Sequence, residues 1–191
     1  MIRGKICWVL FVALMTLVAN ASAATCTDAS IKGVYGLLIT GYDSAGRYQV
    51  GMGQITANGT GSFTGIESVS DDGVIYNNQS LTGTYSISSN CTGSGTIKNI
   101  KNGLISRYNF VVDPVGNQVE AAGTDSGHGT ASGYALAQGT ATCTTAGVKG
   151  TYGFHGGGYL VGPGLLQFDG QYVLDGTGKL SGPGASPRIT S

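Results

Sequence analysis

Leu81-Thr82-Gly83-Thr84-Tyr85-Ser86-Ile87 alternates without a break, with Leu81, Gly83, Tyr85 and Ile87 on one parity and Thr82, Thr84 and Ser86 on the other. A period of two places successive side chains on opposite faces of a β-strand, so this stretch reads as a strand with one apolar and one hydroxylated face. Leu104, Ser106, Tyr108, Phe110 and Val112 repeat the pattern against Arg107 and Asn109. On either side, Gly, Asn and Asp punctuate similar runs at hairpin spacing. Eight strands are expected, at 34–42, 48–57, 62–70, 81–89, 94–100, 104–112, 118–124 and 130–138. Asn58-Gly59 is a type I′ hairpin signal, since both residues tolerate positive φ. Asp71-Asp72-Gly73, Lys101-Asn102-Gly103 and Val115-Gly116-Asn117 mark further turns. Beyond the first two dozen residues no window shows a 3.6-residue period, and the fold class is all-β.

Eight strands joined by short hairpins form an antiparallel meander, which protects its edges by closing into a barrel or, alternatively, by folding into a β-sandwich. Ala131, Gly133, Ala135 and Ala137 share one face, and small residues there suit a tight interior. The barrel is the expectation.

Of 191 residues, 34 are Gly and only 10% are charged. Ten basic side chains balance ten acidic ones, so no positive field exists to neutralise a phosphate backbone, which argues against nucleic acid as a partner. Residues 1–23 read as a signal peptide: Arg3 and Lys5, then an apolar stretch from Ile6 to Ala19, then Ala21-Ser22-Ala23 as a cleavage site. The stretch is shorter than the ~20 residues a membrane span needs. Its removal leaves no candidate span, a net charge near −2 by composition, and an expected secreted, periplasmic or cell-surface location. The remaining cysteines are Cys26, Cys91 and Cys143, an odd number with no zinc spacing.

The chain also repeats itself at an offset of 117. Lys32-Gly33-Val34-Tyr35-Gly36 returns as Lys149-Gly150-Thr151-Tyr152-Gly153, and Asn58-Gly59-Thr60-Gly61 returns as Asp175-Gly176-Thr177-Gly178. Cys26-Thr27 returns as Cys143-Thr144. The division that follows is a first β-repeat domain over 24–142 and a truncated second copy over 143–191. The latter has about three strands, at 151–160, 165–174 and 178–183, which should pair with an exposed edge or stay poorly ordered. Exposed edges of that partial copy offer a route to self-association. Cys26 with Cys91 is the natural bridge within the first copy, leaving Cys143 over; Cys91 with Cys143 is the open alternative.

Cys-x5-Lys-Gly-x-Tyr-Gly, Asn/Asp-Gly-x-Gly, Leu81-Thr82-Gly83-Thr84-Tyr85-Ser86-Ile87 and Asn90-Cys91-Thr92-Gly93-Ser94-Gly95 together resemble a group of uncharacterised secreted Gly/Thr-rich β-repeat proteins of acidobacteria-like soil bacteria. The meander is also distantly similar to the barrels of allene oxide cyclase and dirigent proteins. Those motifs are turn glycines, strand tyrosines and cysteines, so the resemblance implies architecture and leaves chemistry unassigned.

Glu67 is the one catalytic candidate. It shares parity with Phe63 and Val69, and an inward carboxyl there would have a raised pKa. Ile66 on the opposite parity allows the reverse facing. A glycosidase pair of Glu67 and Glu120 has nothing in the sequence to bring it together. His128, in Thr124-Asp125-Ser126-Gly127-His128-Gly129, reads as a solvated hairpin turn, and His155 has no counterpart in the first copy. No metal site and no cofactor motif is expected. Tyr85, Tyr108 and Tyr134 are candidate ligand-binding residues, should the barrel hold a small apolar molecule. The leading expectation is a non-catalytic structural, adhesive or surface-associated module. A small-ligand barrel is the first alternative, and an isomerase-like or hydrolytic enzyme using Glu67 the second.

Overall fold

The computed structural model describes residues 25–126, 129–139, 142–160, 164–182 and 186–190. The signal-peptide reading and His128 lie outside the described residues. Eight antiparallel strands close into a barrel in sequence order: β1 Lys32–Tyr42, β2 Tyr48–Asn58, β3 Ser62–Asp71, β4 Val74–Ile87, β5 Thr92–Asn99, β6 Ile105–Val112, β7 Gln118–Gly123 and β8 Thr130–Ala137. Closure is made by β1, which pairs β2 on one side (Tyr35 opposite Ile55) and β8 on the other (Tyr35 opposite Ala137). The sandwich alternative is thereby set aside.

The two ends of the barrel differ. The turns after β2, β4 and β6 share one end, where Ile31, Tyr35, Ala57, Tyr85, Phe110, Val112 and Ala135 form the buried cluster. Aromatic rings fill this end because facing strands supply glycines for them to lie on. A methyl at Gly83 would collide with the Phe63 ring, and one at Gly93 with the Phe110 ring. Two phenols lock the turns. Tyr35 Oη donates to the Gly116 carbonyl at 2.7 Å, and Tyr85 Oη donates to the Ile31 carbonyl at 2.7 Å while accepting from the Gly59 amide at 3.1 Å.

The segment before β1, with a short 3-10 turn at Asp28–Ser30, is fastened to the same end. Asp28 Oδ1 accepts from the Ile87 amide at 2.8 Å, and Cys26 is joined to Cys91 in the β4–β5 turn. The disulfide is therefore Cys26–Cys91, with Cys143 exposed and outside it.

Two turns differ from expectation. The β2–β3 loop is Gly59-Thr60-Gly61, with positive φ at both glycines, and Asn58 stays in the strand. Asn58 Oδ1 accepts from the Thr60 and Ser62 amides at 2.8 and 3.1 Å, so it serves as a side-chain cap and not as half of a type I′ pair. The two-residue turn with positive φ at both positions is Asp72 (48°) and Gly73 (84°), between Asp71 and Val74. β4 consequently begins at Val74, well before the expected residue 81. It passes through a β-bulge in which Asn77 and Asn78 oppose Ser68 alone, with Asn78 at φ 51°.

The second sheet is built from β9 Gly150–Leu160, β10 Gly164–Leu174, β11 Leu180–Ser181 and β12 Ser186–Thr190. β10 pairs β9 along one edge and β11 and β12 along the other. These strands pair with one another, since a closed barrel leaves no edge to join. Tyr152 opposes Tyr172 in β9–β10, in the same register by which Tyr35 opposes Ile55 in β1–β2. Asp175 Oδ1 accepts from the Thr177 and Lys179 amides at 2.7 and 3.2 Å, the arrangement made by Asn58.

Candidate functional site

The turns after β1, β3, β5 and β7 gather at the other end, which opens into a cavity of about 730 Å³. Its origin is in the strand sequences. Inward positions near the closed end carry Tyr35, Phe63, Tyr85 and Phe110, whereas those near the mouth carry Gly41, Gly51, Gly123 and Ala131. Small residues leave the space that rings fill below. A smaller apolar chamber of about 90 Å³ lies on the closed-end side, and Ile39, Ile97 and Tyr108 line both.

Glu67 stands on the cavity wall, and its neighbour Ile66 is 50% exposed on the outer surface. The strand buries the Phe63–Glu67–Val69 parity because Phe63 must lie on Gly83. Glu67 sits opposite Gly53 on β2 and Gln79 on β4, next to the bulge. A methyl at Gly51 would come within 3.6 Å of Glu67 Oε2. Burial pushes the Glu67 carboxyl above the ordinary carboxylate range, against the lowering effect of a hydrogen bond with Asn99 of β5. Tyr108, from β6, is raised chiefly by burial, with its hydrogen bond to Ser106 opposing and the charges of Glu67 and Asp125 adding to the rise.

The mouth is polar. Asp43 pairs with Arg47 in the β1–β2 turn, with Nε to Oδ2 at 2.7 Å. Arg107 pairs with Asp125 at 3.0 Å, and the Arg107 amide also donates to Asp125 at 2.6 Å. Asp71, at the mouth end of β3, has a buried Oδ1 with no hydrogen-bond partner among the described residues.

The three expected ligand-binding tyrosines, Tyr85, Tyr108 and Tyr134, all border the smaller apolar chamber, and they differ in what else they touch. Tyr108 lines the cavity. Tyr85 belongs to the closed-end cluster with its hydroxyl committed to main-chain groups. Tyr134 borders the chamber and is nevertheless 42% exposed, because β8 turns its small face (Ala131, Gly133, Ala135) inward. Glu120 is also outside, hydrogen-bonded to Gln118 at 2.9 Å, so the barrel wall separates it from Glu67. His155 is on β9, opposite Asp169. Among the described residues no three His, Cys, Asp or Glu side chains group as metal ligands. Gln79, Asn99 and Ser106 join the cavity without having been singled out. The signal for them was a polar residue on the parity of the aromatics, as Ser106 is with Tyr108 and Phe110.

No family model and no curated protein matches the sequence. Solved structures similar to it include a de novo designed fluorescence-activating β-barrel, at 16% identity and a TM-score of 0.41 over 59% of this chain and all (100%) of that one. The redesigned barrel mFAP1, bound to DFHBI, gives 15% identity and a TM-score of 0.41 over 60% of this chain and 99% of that one. A further redesigned barrel gives 14% identity and a TM-score of 0.42 over 63% of this chain and 100% of that one.

Proposed function

We propose that the barrel binds a small organic molecule in its open-ended cavity. The carrying observation is a cavity of about 730 Å³ with Glu67 on its wall. Small-molecule sites occupy roughly 300–1,000 Å³, with mostly apolar walls and a few placed polar groups. Ile39, Val69 and Ile97 supply hydrocarbon, while Gln79, Asn99 and Ser106 supply amide and hydroxyl partners. A structural module has no need to hollow its core, since vacant space forfeits packing. This favours the ligand-holding reading over the structural or adhesive one. The fitting ligand has an apolar body and a hydrogen-bonding edge.

The proposed place of action is outside the cytoplasm. The reading of residues 1–23 as a signal supports it, as does a Cys26–Cys91 disulfide, which persists in oxidising compartments. The 117-residue duplication is supported by the matching register and turn geometry of the second sheet.

Native mass spectrometry of the exported protein tests the binding reading. A non-covalent adduct of a few hundred daltons, lost on denaturation and absent from Gly51→Leu, is the expected result. A Cβ at Gly51 meets only the Glu67 and Val69 side chains, at 3.6 Å, an ordinary contact, so a leucine there enters the cavity without its Cβ striking the backbone. A wild-type protein that stays bare after incubation with a chemically diverse small-molecule library would sink the reading.

A further inference from the structure

Resting on that reading of the cavity, we propose that Glu67 engages its ligand as a hydrogen-bond donor. The cavity then takes an uncharged molecule with an exposed oxygen acceptor, such as a ketone, and releases it as pH rises. Three features of the geometry point there. Glu67 lies inside the barrel, flanked by the amide-bearing Gln79 and Asn99 and by the uncharged Gly51 and Gly53, with no cation beside it among the described residues. The two arginines of the cavity are engaged elsewhere, Arg47 with Asp43 and Arg107 with Asp125. The apolar chamber that shares Ile39, Ile97 and Tyr108 suits a hydrocarbon body inserted past the carboxyl.

A carboxyl in such surroundings is easier to bury with its proton than without it, and a protonated carboxyl is a donor. The alternative occupant, a cationic amine, would restore the ionised form. The mouth gives it no help, because Asp43, Asp71 and Asp125 are balanced by Arg47, Lys101 and Arg107. No net field draws a cation inward.

Among the described residues, the groups that could complicate a pH response are few. Tyr108 faces Glu67 from β6, and Tyr42 and Tyr76 line the cavity from β1 and β4. Asp71 lies four residues along β3 from Glu67, about 13 Å at strand spacing. The Asp43–Arg47 and Arg107–Asp125 pairs and Lys101 belong to the mouth, and β7 and β8 contribute uncharged Gly123 and Ala131. Burial raises the Glu67 midpoint above the ordinary carboxylate range, so the carboxyl keeps its proton to higher pH than an exposed one.

The test uses propionyl-dimethylaminonaphthalene, an uncharged aromatic ketone whose emission reports its surroundings, and a naphthyl analogue bearing a trimethylammonium group. The full-length protein is titrated with each at about pH 4, below the ordinary carboxyl value of ~4.3, and at about pH 9. The ketone should bind wild type at least about tenfold more tightly at the lower pH, and Glu67→Gln equally at both. By reciprocity a tenfold ratio requires the ketone to raise the Glu67 midpoint by about one pH unit, read by carbon-13 NMR of the side-chain carboxyl. That measurement needs wild type alone and decides the matter even if the Gln variant misfolds. Equal ketone affinity at both pH values, an unmoved midpoint, or preferential binding of the cation at high pH would overturn the donor role and leave the cavity reading intact. Failure of both probes to bind in a manner blocked by Gly51→Leu would remove the cavity reading and the proposal together.

Discussion

Glu67 is a carboxyl in a wall whose nearby inward groups are amides, hydroxyls and hydrocarbon, and its ionisation is therefore linked to folding. Its midpoint is raised in the folded barrel, chiefly by burial, so between the unfolded and folded values the native state holds the extra proton. Stability then falls as pH rises through that window; the penalty is complete above it and absent below both values. Glu67→Gln should melt above wild type at alkaline pH, with the gap closing as pH drops below the ordinary carboxyl value of ~4.3. Thermal melts followed by circular dichroism across pH measure this, and a gap that does not vary with pH would contradict it. Tyr85 makes the opposite kind of contribution. Its hydroxyl joins the Gly59 amide to the Ile31 carbonyl inside the closed end, so Tyr85→Phe strips both of a buried partner. A loss of about 1–3 kcal/mol is expected in urea unfolding. Sequence parity placed both residues on strands and left the facing of Glu67 open. Phe63 and Ile66 lie on opposite parities and compete for the interior, and only the fit of Phe63 over Gly83 across the β3–β4 pair settles the contest.

At the scale of the element, glycine does two separate jobs that one substitution type distinguishes. Gly73 completes a tight turn at φ 84° with open space where a side chain would go, so Gly73→Ala meets only a conformational cost, about 1–2 kcal/mol. Gly83 lies in a strand at ordinary φ, and an added methyl would strike the Phe63 ring and the Thr96 carbonyl. Gly83→Ala should therefore cost more, about 3 kcal/mol, and should shift the near-ultraviolet signal of the aromatic cluster while Gly73→Ala leaves it unchanged. Equal costs with unchanged spectra would refute the distinction. Alternation revealed where strands run, because each carries one apolar parity. It failed at the start of β4, where Val74-Ile75-Tyr76 leads into Asn77-Asn78. Two asparagines read as a loop, yet the strand continues through them as a bulge, with the Asn78 amide donating to Ser68 Oγ at 3.2 Å. The bulge depends on the partner strand, so nothing local in the sequence announces it. It also lies beside Glu67, and the cavity was illegible for the same reason: it is the sum of small inward residues contributed by strands far apart in the chain.

For the molecule as a whole, closure is completed within one stretch of chain. The β1–β8 pairing uses residues up to Ala137, and Cys26–Cys91 closes a covalent loop with a sequence separation of 65 across four of the eight strands. Cross-linking of that span restricts the unfolded chain by about 4 kcal/mol in the loop-entropy picture. Replacing both Cys26 and Cys91 by Ser should lower the unfolding free energy by up to about that amount, and an unchanged urea midpoint would show that the segment before β1 is held by its hydrogen bonds alone. The second sheet has a different standing. Its Tyr152, Phe154, Phe168 and Tyr172 rings contact one another across β9 and β10, but it reproduces only the part of the barrel that cannot close on itself. A barrel owes its stability to the closed ring of strands and its packed interior, both of which lie within residues 25–139. A chain ending at residue 142 should therefore melt within a few degrees of the full protein and keep the raised Glu67 midpoint. Residues 143–191 alone should show no cooperative transition, since a small sheet without a packed second layer is marginal in water. If the shortened chain melts far below the full one, or loses the Glu67 shift, the second sheet is a working part of the barrel's stability and the two must fold as one unit.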